Sequence, residues 1–156
     1  MNNGTYLVSN YNWFSLIDST GNFLWSVDNS SVSSEYLGSD AIYSNGKYYQ
    51  GFSNGAGGGG NPTNSFVYVY DNNHKFLTTY NYNDNGFNAG KTIWLDVLGT
   101  YPNNSLKILG VKLYHKAWQW SDPWKIFYGT ASTTALIDTV TFEGQKARYY
   151  DNPYFF

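Results

Sequence analysis

Apolar and polar residues alternate along most of the chain with a period of two, the mark of half-buried strands. Residues 6–17 read as one strand, 18–22 as a turn and 23–27 as the returning strand. Residues 41–44 and 48–52 flank Asn45-Gly46, a dipeptide suited to a type I′ hairpin because both central residues must adopt positive φ. Residues 66–70 turn through 71–74 into 76–80, and 92–98 turn through 101–105 into 106–120. Strands at 126–128, 135–142 and 146–150 follow, with Glu143-Gly144 at the last turn. That makes about ten strands, spaced as in a sandwich or barrel. Only residues 30–37 would accept a short helical turn. Residues 54–65, NGAGGGGNPTNS, offer nothing to pack and read as a flexible surface loop.

The alternation also assigns faces. From 109 to 120 the odd positions carry Leu109, Val111 and Leu113, with His115 among them. The even positions carry Lys112, Tyr114, Lys116, Trp118 and Trp120. Ile93, Leu95 and Val97 oppose Trp94 and Asp96; Val67 and Val69 oppose Phe66, Tyr68 and Tyr70. Aliphatic residues are expected inward and Trp or Tyr outward. Trp25 shares a face with Phe23 and Val27 and is expected in the core.

An aromatic outer face does not sit bare in water. Three coverings compete: a second sheet of the same chain, neighbouring subunits, or a sugar stacked on the rings. Interfaces are rich in Tyr and Trp. Trp118, Trp120 and Trp124, beside Gln119 and Asp122, would suit a glycan platform, the third of these coverings in order of preference. The interface or platform set is therefore Tyr68, Tyr70, Trp94, Tyr114, Trp118, Trp120 and Trp124. The C-terminal residues 149–156, YYDNPYFF, are expected to dock through Tyr154, Phe155 and Phe156.

Composition supports a single all-β domain over 1–156. Aromatic residues make up 21% and charged residues 13%, about half the charge of an ordinary domain. Surfaces with so little charge tend to self-associate. A net charge of −2 argues against binding the nucleic-acid backbone. Cysteine is absent, which removes disulfides and thiolate metal sites. No run approaches the ~18 apolar residues of a membrane span, and MNNGTYLVSN has no signal-peptide pattern.

There is an internal echo. Leu16-Ile-Asp-Ser-Thr-Gly-Asn-Phe-Leu24 aligns with Val69-Tyr-Asp-Asn-Asn-His-Lys-Phe-Leu77, both Asp-x4-Phe-Leu, and Leu136-Ile-Asp138 is a candidate third start. The segment LIDSTGNFLWSV…AIYSNGKYYQGF resembles the four-strand repeat of quinone-cofactor-type β-propellers, whose hairpin carries Asp-x-x-Gly-x-x-x-Trp. His74 stands where the first copy has Gly21. Three such units are too few to close a propeller alone. The echo is read as two similar hairpins in a sandwich, with propeller-like blades in an oligomer as the other option.

Catalytic chemistry is thin. His74 and His115 are far apart, and no metalloprotease or serine-hydrolase motif occurs. Glu35, Glu143 and Asp96 are the carboxylates that burial could tune, Asp96 beside Trp94 first among them. Asp71-Asn-Asn and Asn83-Asp-Asn-Gly86 could offer oxygen ligands to calcium, but Asx turns explain both. No enzyme activity, metal or cofactor is expected.

The Tyr-, Asn- and Ser-rich, cysteine-free, lysine-poor composition is similar to that of virion structural proteins of viruses infecting hyperthermophilic archaea. That resemblance implies a jelly roll. The expected fold is accordingly an antiparallel two-sheet sandwich of jelly-roll type. The expected role is structural: self-assembly through aromatic β-faces in a virion shell, surface layer or extracellular filament. Partners would be copies of itself, other structural proteins or glycans. The alternative is a carbohydrate-binding or receptor-attachment module.

Overall fold

A computed structural model describes residues 4–10, 12–32, 36–54, 65–82, 91–113, 124–131 and 136–143. They form β1 (Thr5–Asn10), β2 (Trp13–Asp18), β3 (Phe23–Asp28), β4 (Tyr36–Gly38), β5 (Ile42–Ser44), β6 (Lys47–Asn54), β7 (Ser65–Tyr70), β8 (Phe76–Tyr82), β9 (Lys91–Thr100), β10 (Leu106–Leu113), β11 (Trp124–Ala131) and β12 (Leu136–Glu143). No helix occurs among the described residues. The expected all-β class holds. The helical turn admitted for 30–37 is replaced in part by β4. The strand expected over 6–17 is two strands, because Asn10 pairs with Trp13 and the chain reverses between them. The second half of the run to Trp120, the 146–150 strand and most of the Gly-rich loop lie outside the described residues.

The strands form three antiparallel sheets, β1-β2-β3, β4-β6-β7-β8 with β5 beside β6, and β12-β11-β10-β9. The fold is thus an antiparallel sandwich, with three sheets rather than two among the described residues. Strands β4 and β5 line one side of β6, β5 along Lys47–Tyr49 and β4 along Phe52–Asn54. Together they make a single edge strand broken at Ser39–Ala41. With that break counted, every described pairing joins neighbours in the chain. These are meanders; the long-range pairing of a Greek key, on which a jelly roll depends, is absent among the described strands.

The middle sheet is covered on both faces. Along β6 and β7 the side chains alternate. Tyr49, Val67 and Val69 pack with Tyr82 against Leu95, Val97, Leu106, Ile108 and Ala131 of the third sheet. Tyr48 and Tyr70 pack with Ala41 against Phe14 of the first sheet, supported by Leu7, Trp25 and Val27. Phe52 and Phe66 continue that second face under Val32. Each Val, Leu, Ile or Phe side chain so taken from water contributes about 1.5–3 kcal/mol. Meanders stacked in chain order are also how successive propeller blades follow one another.

Two local features set the stacking. At Gly51 the backbone of β6 crosses β9 so closely that a Cβ would stand 2.4 Å from the Leu95 carbonyl oxygen. At the hairpin β5–β6, Asn45 and Gly46 both take positive φ, 48° and 75°, as the type I′ geometry requires.

One face assignment reverses. Over residues 106–110 of β10, Leu106, Ile108 and Gly110 are buried while Leu109 is only half-buried, so there the even positions face the core; the rest of the face expected over 109–120 lies outside the described side chains. β9 keeps the expected inward Leu95 and Val97. Its register with β10 skips Leu98 and Ile93, and these bulges break the correspondence between the two strands.

Candidate assembly surface

Three turns share one construction. Each spans the gap between a last pair: Ile17 with Phe23, Tyr70 with Phe76, and Thr100 with Leu106. In each, the first residue's N–H donates to the carbonyl of the fifth, and its own carbonyl accepts from the N–H of the fourth. The fourth residue is Gly21, His74 or Asn104, with φ of 89°, 65° and 64°. In the first two, an aspartate closes the loop. Asp18 Oδ1 accepts from the N–H groups of Thr20 and Asn22, and Asp71 Oδ1 from those of Asn73 and Lys75. The Asp-x4-Phe-Leu echo is therefore a structural repeat. Bonds from the Thr20 hydroxyl and then from Asn22 hold the Asp18 carboxyl down at about 2.

An apolar pair follows each aspartate turn and faces outward. Phe23 is 67% exposed and Leu24 52%; Phe76 is 49% exposed and Leu77 46%. Leu24 and Leu77 are the residues skipped by the register of β2–β3 and β7–β8. An extra residue in a strand re-aims its side chain, and here it does so at the same place in both copies. Leu98, skipped in β9, is 51% exposed in the same manner. β3 and β8 are edge strands of their sheets, so both pairs stand on the rim of the stack.

The aromatic face expected outward on β7 is instead mostly inside. Phe14 meets Trp25 and Tyr70 edge-on at 5.7 and 5.2 Å between ring centroids, and Trp25 meets Tyr48 at 4.9 Å. Such pairs add about 0.5–1.5 kcal/mol each beyond burial. His74 reaches back from the β7–β8 turn and stacks on Trp25 at 3.6 Å. Burial lowers the His74 pKa, opposed by the charge of Asp71. Burial also pushes the Tyr70 and Tyr49 hydroxyls up to about 12.

A polar knot pins the same seam. The fully buried Gln50 accepts from Asn29 Nδ2 at 2.8 Å and donates Nε2 to the carbonyls of Asn10 and Ser39, each at 3.0 Å. The Tyr70 hydroxyl donates to Asn29 Oδ1. On the other face of the sheet, Ser53 Oγ, Ser65 Oγ and the Tyr82 hydroxyl are buried without a partner.

The residues expected at the interface separate accordingly. Tyr70 is corrected: it is 4% exposed and consumed by packing within the chain. Tyr68 is half-buried against Phe52, Phe66 and Phe76. Trp94 lies in β9 and Trp124 begins β11. Tyr114, Trp118, Trp120, Tyr154, Phe155 and Phe156 lie outside the described residues, as does His115. Trp25 packs on the core as expected. The exposed Phe23, Leu24, Phe76 and Leu77 escaped the sequence reading, although the repeated Phe-Leu was their signal.

Little chemistry gathers in the described part. The Asp71 turn spends its Oδ1 on backbone N–H groups. No three His, Asp or Glu residues come together there to hold a metal. Nor does any helix there have the length and apolarity to cross a membrane. In comparisons with known proteins, no family model, curated protein or solved structure matches the chain.

Proposed function

We propose that this protein is a non-enzymatic structural component that assembles with copies of itself, as a subunit of a virion shell, a surface layer or an extracellular filament. One observation carries the reading. Two sequence repeats each place a Phe-Leu pair about half or more exposed, 46% at the least, on an edge strand, by the same bulge after the same turn. A chain with 13% charged residues has few charges to keep such rims apart. Association would cover Phe23-Leu24 and Phe76-Leu77, while the seam around Phe14, Trp25 and Tyr70 keeps each subunit rigid.

The test is a pair of rim variants, Phe23→Ser with Phe76→Ser, studied by analytical ultracentrifugation beside the unaltered chain. Phe23 is 67% exposed and Phe76 about half, its ring edge-on to Tyr68 and Tyr70, so circular dichroism of each variant should first show that the fold holds. Association should weaken by about 2 kcal/mol or more if either ring is a hot spot. Unchanged association would remove the rim from the account.

A further inference from the structure

We propose that β8 is the strand through which two copies join, each pairing antiparallel with the β8 of the other so that the middle sheet runs on through both. This rests on the self-association reading above and names its contact. Among the described strands β8 ends the order of the middle sheet, pairing with β7 on one side only. Phe76, Leu77, Thr78 and Asn81 on it are exposed. An edge strand presents a row of unpaired N–H and C=O groups, and natural edges are blunted by charge, proline, brevity or cover.

β8 carries none of the first three. Its sequence over seven residues is FLTTYNY. The other edges are blunted. β3 ends on Asp28, β9 carries Lys91 and Asp96, and β12 carries Asp138 and Glu143. β4 and β5, which share the opposite edge of the middle sheet, have three residues each. β1 is covered along its far half: Ser9 bonds Asp40 and the Ala41 N–H, and the Asn10 carbonyl accepts from Gln50.

The bulge at Leu77 lies at the start of β8, leaving residues 78–82 regular. A two-fold axis through Tyr80 sets Tyr80 opposite itself, Thr79 opposite Asn81 and Thr78 opposite Tyr82. The faces match. Tyr82 belongs to the core between the second and third sheets and Tyr80 packs against it, so pairing there continues an existing apolar layer from one copy to the next. Thr79 and Asn81 fall on the other face. With no charge on the strand, self-pairing meets no like-charge opposition.

The register gives a specific test. Thr79→Lys with Asn81→Lys places a lysine opposite a lysine twice, and Thr79→Glu with Asn81→Glu does the same with carboxylates. Each double variant should keep the circular dichroism and melting behaviour of the parent yet associate at least about tenfold more weakly. An equimolar mixture of the two should regain association. Hydrogen exchange gives a second reading that needs no variant: β8 amides of the unaltered chain should gain protection as concentration rises. Association unchanged in both variants, or lost in both and not regained on mixing, overturns the β8 pairing. So does β8 exchange that ignores concentration in an associating sample. An unaltered chain that never associates overturns the self-association reading itself, which is a separate failure.

Discussion

Replacing Gln50 by Ala should detach the first sheet from the second. Gln50 is fully buried, and its amide makes three hydrogen bonds, from Asn29 Nδ2 and to the carbonyls of Asn10 and Ser39. These tie β6 to β1, to the segment after β3 and to the break between β4 and β5. A net value of about 1 kcal/mol for each bond gives ~3 kcal/mol, to which a side-chain-sized cavity adds. That is a large share of the 5–15 kcal/mol of an ordinary domain. Gln50→Met separates the two terms, since it keeps most of the volume and removes the bonds. Gln50→Glu should be the worst of the three, because a carboxylate would turn an acceptor toward two carbonyl oxygens. Urea titrations followed by Trp fluorescence and by circular dichroism would measure the order Met, Ala, Glu. A loss under about 1 kcal/mol for Gln50→Ala would show that the seam does not depend on the knot.

Gly51→Ala should lower stability by about 2 kcal/mol or more, because the new methyl would meet the Leu95 carbonyl at 2.4 Å and two backbones must part; a neutral result in the same titration would mean that β6 and β9 are not so close. Tyr82→Phe should be neutral or stabilising by up to about 1 kcal/mol, since it removes a buried hydroxyl without a partner; a clear loss would show that the hydroxyl is bonded, for instance to an internal water. On acidification two groups act in turn. His74 has its pKa lowered in the folded chain, so its contribution is complete above the unfolded value near 6.5 and is lost as pH falls below it. Asp18, held at about 2 against an ordinary 3.8, contributes fully above that ordinary value and loses its contribution as pH falls toward 2. Melting curves of the parent and of His74→Asn, which tolerates the left-handed turn, should converge as pH drops from about 7 to about 5; parallel curves would contradict the sign.

The turns were legible in the sequence and the layers were not. Asn45-Gly46 and the Asp-x4-Phe-Leu repeat act within a few residues, through positive φ and side-chain bonds to nearby N–H groups, so local sequence encodes them fully. Alternation along β7 correctly divides Val67 and Val69 from Phe66, Tyr68 and Tyr70. It says nothing about what covers each side, and here both sides are covered by the same chain. A strand buried on both faces shows no polar side to orient it. β10 failed for a related reason: Leu106-Lys-Ile-Leu-Gly-Val is apolar at both parities, so the sequence offered no phase. The bulges at Leu24, Leu77 and Leu98 are register events between two strands. No single strand announces them, which is why the exposed rim stayed hidden.

Self-assembly is decided by the solution mass of the unaltered chain over a wide range of concentration, by multi-angle light scattering, with the same samples imaged by electron microscopy. The account predicts a mass that rises above that of the 17.7 kDa chain, through dimers toward larger regular assemblies. A chain that stays at the monomer mass to its solubility limit would contradict it.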